Sequence, residues 1–97
     1  MEECKLLYSN NYINIYMNSK YIHWKSHNTK CTIQDIDELI KVSSTILDKL
    51  YDEKKMIGLI WDMRSTQILT PNQVSRITKF ISGISEVLEF LYLFDQP

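Results

Sequence analysis

Hydrophobic and polar residues alternate along the first third of the chain, which is typical of strands with one buried face. Residues 12–17 and 20–25 both alternate in this way, because successive side chains of a strand point to opposite faces. A shorter strand is predicted over Lys5 to Tyr8. Asn18-Ser19 predicts a tight turn between the two longer strands, since asparagine tolerates a positive φ. The pattern therefore predicts an antiparallel meander of three strands.

The apolar spacing changes to that of a helix after Cys31. Thr32 followed by Asp35 resembles a capping box, with aspartate in place of the usual glutamate or glutamine. Apolar residues then recur every three or four positions, which predicts a helix from Ile33 to about Glu53. The expected buried stripe consists of Ile36, Leu39, Ile40, Ser43, Leu47 and Leu50.

The second half of the chain begins with a continuous apolar run, Met56 to Trp61. Such a run predicts a strand that is covered on both faces. Asp62 ends this strand, and a polar loop leads to the next helix.

The motif Thr70-Pro71-Asn72-Gln73 predicts the start of that second helix. Threonine is a good cap, proline suits the first helical position, and glutamine completes the box. A helix is predicted to about Ser82, with a strand from about Leu88 to Phe94, although residues 84–91 also keep helical spacing. The expected buried stripe of this helix is Val74, Ile77, Phe80, Ile81 and Ile84. The chain is thus predicted to be one α/β domain over residues 1–97, a mixed sheet with an N-terminal antiparallel meander followed by helix-strand-helix-strand.

Composition limits the classes of partner and compartment. A formal net charge of −1 gives no basic stripe, so no nucleic-acid partner is predicted. No apolar segment approaches the roughly 18 residues of a membrane span. The acidic N-terminus lacks the pattern of a signal peptide, so we expect a cytoplasmic protein in which Cys4 and Cys31 are reduced thiols.

Two short motifs carry a resemblance to a known family. Tyr21-Ile22-His23-Trp24-Lys25 precedes the first helix, and Leu59-Ile60-Trp61-Asp62-Met63-Arg64 follows it. In this order of elements, the chain resembles the STAS-like fold of bacterial anti-sigma-factor antagonists and of cytoplasmic domains of sulphate transporters. It is similar to small bacterial STAS/CRAL-TRIO-like proteins, in which Trp-Asp-hydrophobic-Arg precedes a Thr-Pro-capped helix. The resemblance covers roughly residues 12 to 94 and implies a regulatory role through protein–protein contacts.

The chain departs from that family at its regulatory turn. In the antagonists, a phosphorylatable serine lies in an Asp-Ser-Ser-Gly-type turn at the start of the helix after this strand. The matching stretch here is residues 70–73, where Thr70 is the only hydroxyl and is expected to serve as a helix cap. Ser65 and Thr66 lie earlier in the loop. A phosphoserine switch is therefore not predicted.

Candidate partner-binding residues lie on the outward face of the meander and at the end of the buried strand. A solvated sheet face seldom carries several tyrosines, whereas tyrosine is enriched in protein interfaces. Two interpretations stay open: an exposed binding face, or packing beneath a helix. Asp62 and Arg64 likewise have two interpretations: a charged pair that recognises a partner, or an ion pair that stabilises the loop. The predicted partner-binding residues are Tyr12, Tyr16, Tyr21, His23, Asp62 and Arg64.

The four-residue spacing of His23, His27 and Cys31 suggests zinc, but His23 reads as strand and the other two as loop. No metal site and no cofactor are predicted. An acid–base or metal-dependent enzyme would have to use His23, His27 and Asp62. Neither histidine accompanies a serine or cysteine in a recognisable motif, so no catalytic residue is predicted.

Taken together, these patterns predict a non-enzymatic interaction module of STAS-like type that binds a partner protein or itself. The alternative is a domain that binds a small molecule or lipid, which would need an apolar cavity.

Overall fold

The first three strands form the meander that the alternation predicts. A computed structural model describes residues 3–65 and 69–94 of the chain. In it, β1 is Lys5–Ser9, β2 is Ile13–Met17 and β3 is Tyr21–Ser26, and neighbouring strands are antiparallel.

Asparagine side chains close both turns of the meander. The Oδ1 atom of Asn18 accepts the backbone N–H groups of Lys20 and Tyr21 at 2.8 and 2.9 Å. Asn10 accepts from the two residues that precede and begin β2 in the same way. Among the described residues other than glycine, only Lys54 has a positive φ. The positive φ expected at Asn18 is therefore wrong: its side chain replaces a backbone acceptor in the turn instead.

Both helices begin where their capping boxes predict. Helix α1 spans Ile33–Asp52, and Thr32 and Asp35 exchange both bonds of the box. Helix α2 spans Pro71–Gly83, with Thr70 as its cap and a 3-10 turn, Ser85–Val87, after it.

The two helices lie on one face of a five-stranded sheet. Strand β4 (Ile57–Asp62) runs parallel to β3, and β5 (Leu88–Phe94) runs parallel to β4, in the order β1-β2-β3-β4-β5. Right-handed crossovers that step twice in the same direction place both helices on the same side. The contacts agree, because Trp24 of β3 donates to Ser43 of α1 at 3.0 Å and stacks on Phe80 of α2 at 5.9 Å.

The core fills the space between that sheet face and the helices. In the α1 stripe, Ile36, Leu39, Ser43 and Leu47 are buried as predicted, and Ile40 and Leu50 are partly buried against the core. In α2, Ile77 is buried, but Val74 is 38% exposed, so its place in the stripe is wrong. Gln73 occupies the buried position at this end of the helix, where its Nε2 donates to the carbonyl of Cys31 at 2.8 Å.

A bulge in β1 decides which of its side chains face the helices. Leu6 pairs with Tyr16, so regular pairing would place Tyr8 opposite Asn14. Tyr8 pairs with Ile15 instead. Such a shift turns the following side chains to the other face. Tyr8 consequently lies under α1 and donates to Glu38 Oε2 at 2.8 Å.

The predicted mixed α/β fold, a meander followed by helix-strand-helix-strand, is confirmed. In the described part of the chain, neither helix has the length and apolar character needed to cross a membrane.

Candidate functional site

No helix covers the second sheet face within residues 3–65 and 69–94, and we call this surface the open face. The strand register arranges its side chains in three rows across the sheet. The first row contains Tyr16, His23, Ile60 and Tyr92; the second, Asn14, Lys25, Asp62 and Phe94; the third, Tyr21, Gly58 and Phe90.

The first and third rows form an aromatic surface. The ring of His23 lies 6.0 Å from that of Tyr16 and 6.5 Å from that of Tyr21. On the other side of β4, the rings of Phe90 and Tyr92 are 5.3 Å apart. Such centroid separations are typical of aromatic pairs that attract each other. Aromatic side chains therefore lie on both sides of β4 on the open face.

Asp62 and Arg64 form a bidentate ion pair at the carboxyl end of β4. The Nε and Nη2 atoms of Arg64 donate to Oδ1 and Oδ2 of Asp62 at 3.0 and 2.8 Å. The backbone N–H of Arg64 also donates to Oδ1, at 3.2 Å. These bonds hold the pKa of the buried Asp62 carboxyl below its usual value. The pair therefore stabilises the start of the loop after β4. The guanidinium also lies 5.2 Å from the centroid of the Phe94 ring, so the pair contacts the open face.

His23 connects the aromatic rows to this ion pair. Its Nε2 lies 3.9 Å from Asp62 Oδ2, too far for a hydrogen bond. Nε2 is buried and makes no hydrogen bond within the described residues. Burial lowers the pKa of His23, the charges of Lys25 and Arg64 lower it further, and Asp62 acts in the opposite direction. At neutral pH the ring is therefore uncharged.

The structure brings five of the six predicted site residues together, namely Tyr16, Tyr21, His23, Asp62 and Arg64. The sixth, Tyr12, is wrongly assigned to the outward face, because it is 0% exposed. Its side chain hydrogen-bonds to Cys31, which precedes α1. The reason is local: β2 begins only at Ile13, and the Asn10 turn redirects the chain before it.

β5 also contributes to this face, and its residues are not among the predicted partner-binding residues. Phe90, Tyr92 and Phe94 pair with Gly58, Ile60 and Asp62 and share their side of the sheet. The signal was present as aromatic residues at every second position. The predicted strand contains this pattern, but only its parallel pairing with β4 shows that these rings share a face with His23 and Asp62.

The polar groups of the described chain do not assemble an evident catalytic or metal site. No group of three or more His, Cys, Asp or Glu side chains there is placed to hold a metal ion. His27 bonds the carbonyl of Asn10 through Nε2 at 2.8 Å, away from His23. Burial raises the pKa of the Cys31 thiol to about 12, so this thiol stays protonated and is a weak nucleophile.

A groove of about 610 Å³ lies at the end of β4 opposite Asp62, between the end of α1 and the start of β4. Apolar and charged side chains line it, among them Met17, Leu50, Lys49 and Glu53. It is open to solvent, whereas small-molecule sites usually enclose most of their ligand. The groove thus differs from the cavity that the lipid-binding alternative would need.

The loop after β4 is described in part. Ser65 is exposed, and Thr66 lies outside the described residues. The Oγ1 atom of Thr70 accepts the N–H of Gln73 at 3.2 Å, so its hydroxyl serves as the expected cap.

Comparisons of the chain with protein-family models, with curated proteins and with solved structures found no match.

Proposed function

We propose that this protein is a non-enzymatic interaction module that binds a partner protein through the open face of its sheet. The observation that carries the proposal is that helices cover one sheet face, while the other presents adjoining tyrosine, histidine and phenylalanine rings. Aromatic residues and arginine are enriched in interfaces, and the aromatic rings supply large contact areas with few rotatable bonds. The Asp62–Arg64 pair gives this face a polar end.

The resemblance to STAS-like regulators supports the same class of function. The proposal leaves out their phosphoserine switch, since the Thr70 hydroxyl is engaged as a helix cap. Both cysteines are free, which suits the reducing conditions of the cytoplasm, where we place the protein.

Affinity capture from the native host tests the proposal when it is made on three forms of the protein. The double variant Tyr16→Ser, Tyr21→Ser removes two rings of the open face. Tyr51→Ser is the matched control, because Tyr51 is an exposed tyrosine of α1 on the helix side. We expect the same protein to be retained by the wild type and the control and to be lost from the double variant.

A folding control accompanies the capture. The near-ultraviolet circular dichroism of the buried Trp24 and Trp61, read at wavelengths beyond the tyrosine bands, must be the same in all three forms. A partner that the double variant retains and Tyr51→Ser loses would show that the binding surface lies on the helix side.

A further inference from the structure

Strand β5 is an edge strand whose side chains are unusually apolar. Leu91, Tyr92, Leu93 and Phe94 are 46, 60, 53 and 45% exposed, although they include both faces of the sheet. No other strand in the described chain pairs with the outer side of β5. Edge strands are normally protected by charges, prolines or bulges, and residues 90–94 contain none of these.

The other edge of the sheet is protected in the usual way. β1 begins with Lys5 and carries a bulge between Leu6 and Tyr8, and such irregularities prevent edge-to-edge pairing. β5 also has a charge and a register shift, but both lie at its start, at Glu89 and between Leu88 and Phe90. Residues 90–94 are regular and uncharged, so β5 is the edge suited to pairing.

We propose that β5 pairs antiparallel with β5 of a second copy of this chain, around a two-fold axis through Tyr92. The proposal concerns the backbone edge of β5 and a different partner from the function proposed above; β5 also contributes Phe90, Tyr92 and Phe94 to the open face, but neither proposal depends on the other.

The hydrogen-bonding groups of β5 favour this register. The carbonyl of Phe94 accepts from Met63 on the β4 side, and the direction of backbone groups alternates along a strand. The N–H and C=O groups of Leu91 and Leu93 therefore point outward. With the axis at Tyr92, Leu91 of one copy opposes Leu93 of the other, and each such pair exchanges two hydrogen bonds.

Charge and area favour a second copy as the occupant. The only charged residue of β5 is Glu89, which precedes the segment 90–94; the residues of this segment oppose one another around the axis and carry no charge. Half-exposed rings and leucines at residues 91–94 offer on the order of 400 Å² of side-chain surface per copy. Together with the backbone edge, this approaches the lower range of specific dimers.

The pairing also joins the two open faces. A two-fold axis perpendicular to the sheet leaves the helices of both copies on one side and the aromatic rows on the other. Phe90 of one copy then opposes Phe94 of the other, so the aromatic side chains of both copies lie on one side of a ten-stranded sheet.

Sedimentation equilibrium of the wild type and of Leu93→Lys tests the pairing. We expect a wild-type dimer and an increase of at least about tenfold in the dissociation constant of the variant, because two lysines would enter the paired edge. The matched control is Leu7→Lys, which places the same charge at an exposed leucine of β1 and should leave the dimer unchanged. A wild type that remains monomeric at millimolar concentration overturns the proposal, as does a dimer that Leu93→Lys leaves intact.

A disulfide at the axis tests the register. In Tyr92→Cys, the new cysteine would lie opposite the same cysteine of the second copy, in a non-hydrogen-bonded pair. The Cα atoms of such a pair lie about 4.5 Å apart, within reach of a disulfide. We expect a covalent dimer of Tyr92→Cys under mild oxidation. Wild type, which retains Cys4 and Cys31, gives the background, and equal cross-linking of both forms would overturn this register. Capture of a partner by the open face has its own readout, so either proposal can fail alone.

Discussion

Asp62 is the residue on which the ion pair and the open face both depend. It is 4% exposed and accepts three hydrogen bonds from Arg64. We expect Asp62→Asn to lower the free energy of unfolding at neutral pH by about 1–3 kcal/mol, since it weakens charge-assisted bonds to a buried group. Asp37→Asn is the matched control: Asp37 pairs with Arg76 at 2.7 Å but is exposed, and its loss should cost less than about 1 kcal/mol. Urea denaturation measures both changes, and equal losses would contradict the assignment.

The same pair predicts how this difference depends on pH. The pKa of Asp62 is lowered from 3.8 in the folded protein, so the unfolded chain takes up the proton first as pH falls. The stabilisation is complete above 3.8 and is lost as pH falls through the folded pKa. The stability difference between wild type and Asp62→Asn should accordingly shrink in acid.

At the scale of elements, Gly58 of β4 sets how closely β5 packs on the open face. A Cβ atom at this position would overlap the ring of Phe90, so the ring must move if any side chain is added. We expect Gly58→Ala to lower the free energy of unfolding by about 1–3 kcal/mol, as overpacking does. The chain's other glycine provides the control, because a Cβ at Gly83 meets nothing within 4 Å. Gly83→Ala should be neutral or stabilising by up to about 1 kcal/mol in this helical position. A similar loss in both variants would contradict the packing argument.

The elements themselves could be predicted because local chemistry determines them. Both capping boxes form as the sequence indicates, at Thr32 and at Thr70. What could not be predicted is which face some side chains occupy, since that depends on pairing between strands. The β1 bulge turns Tyr8 toward α1, and the Asn10 turn removes Tyr12 from the surface.

The residues of the candidate site could be predicted from the sequence, but their proximity to one another could not. The sequence pointed separately to the tyrosines of the meander and to Asp62 with Arg64. Only the parallel pairing of β3 with β4 puts His23 within 3.9 Å of Asp62. That pairing joins residues separated by a whole helix, so no local pattern reveals it.

For the whole molecule, a sheet with helices on one face leaves a titratable group half-buried on the other, and this makes stability depend on pH. The pKa of His23 is lowered from 6.5, first by burial, then by Lys25 and Arg64, against the opposing effect of Asp62. The unfolded chain therefore binds this proton at a higher pH than the folded protein does. The contribution of neutral His23 is complete above 6.5 and is lost as pH falls toward the folded pKa.

We expect the wild-type free energy of unfolding to decrease between about pH 7.5 and 5.5, with a slope for one proton of at most about 1.4 kcal/mol per pH unit. His23→Gln should flatten that slope, because glutamine does not titrate. His27→Gln removes the chain's other histidine, which lies in an exposed loop, and should keep the wild-type slope. Urea denaturation across this range measures all three forms. If His27→Gln flattens the slope of the free energy of unfolding against pH and His23→Gln does not, the pH dependence arises in the loop before α1. His23 on the open face would then not be its source.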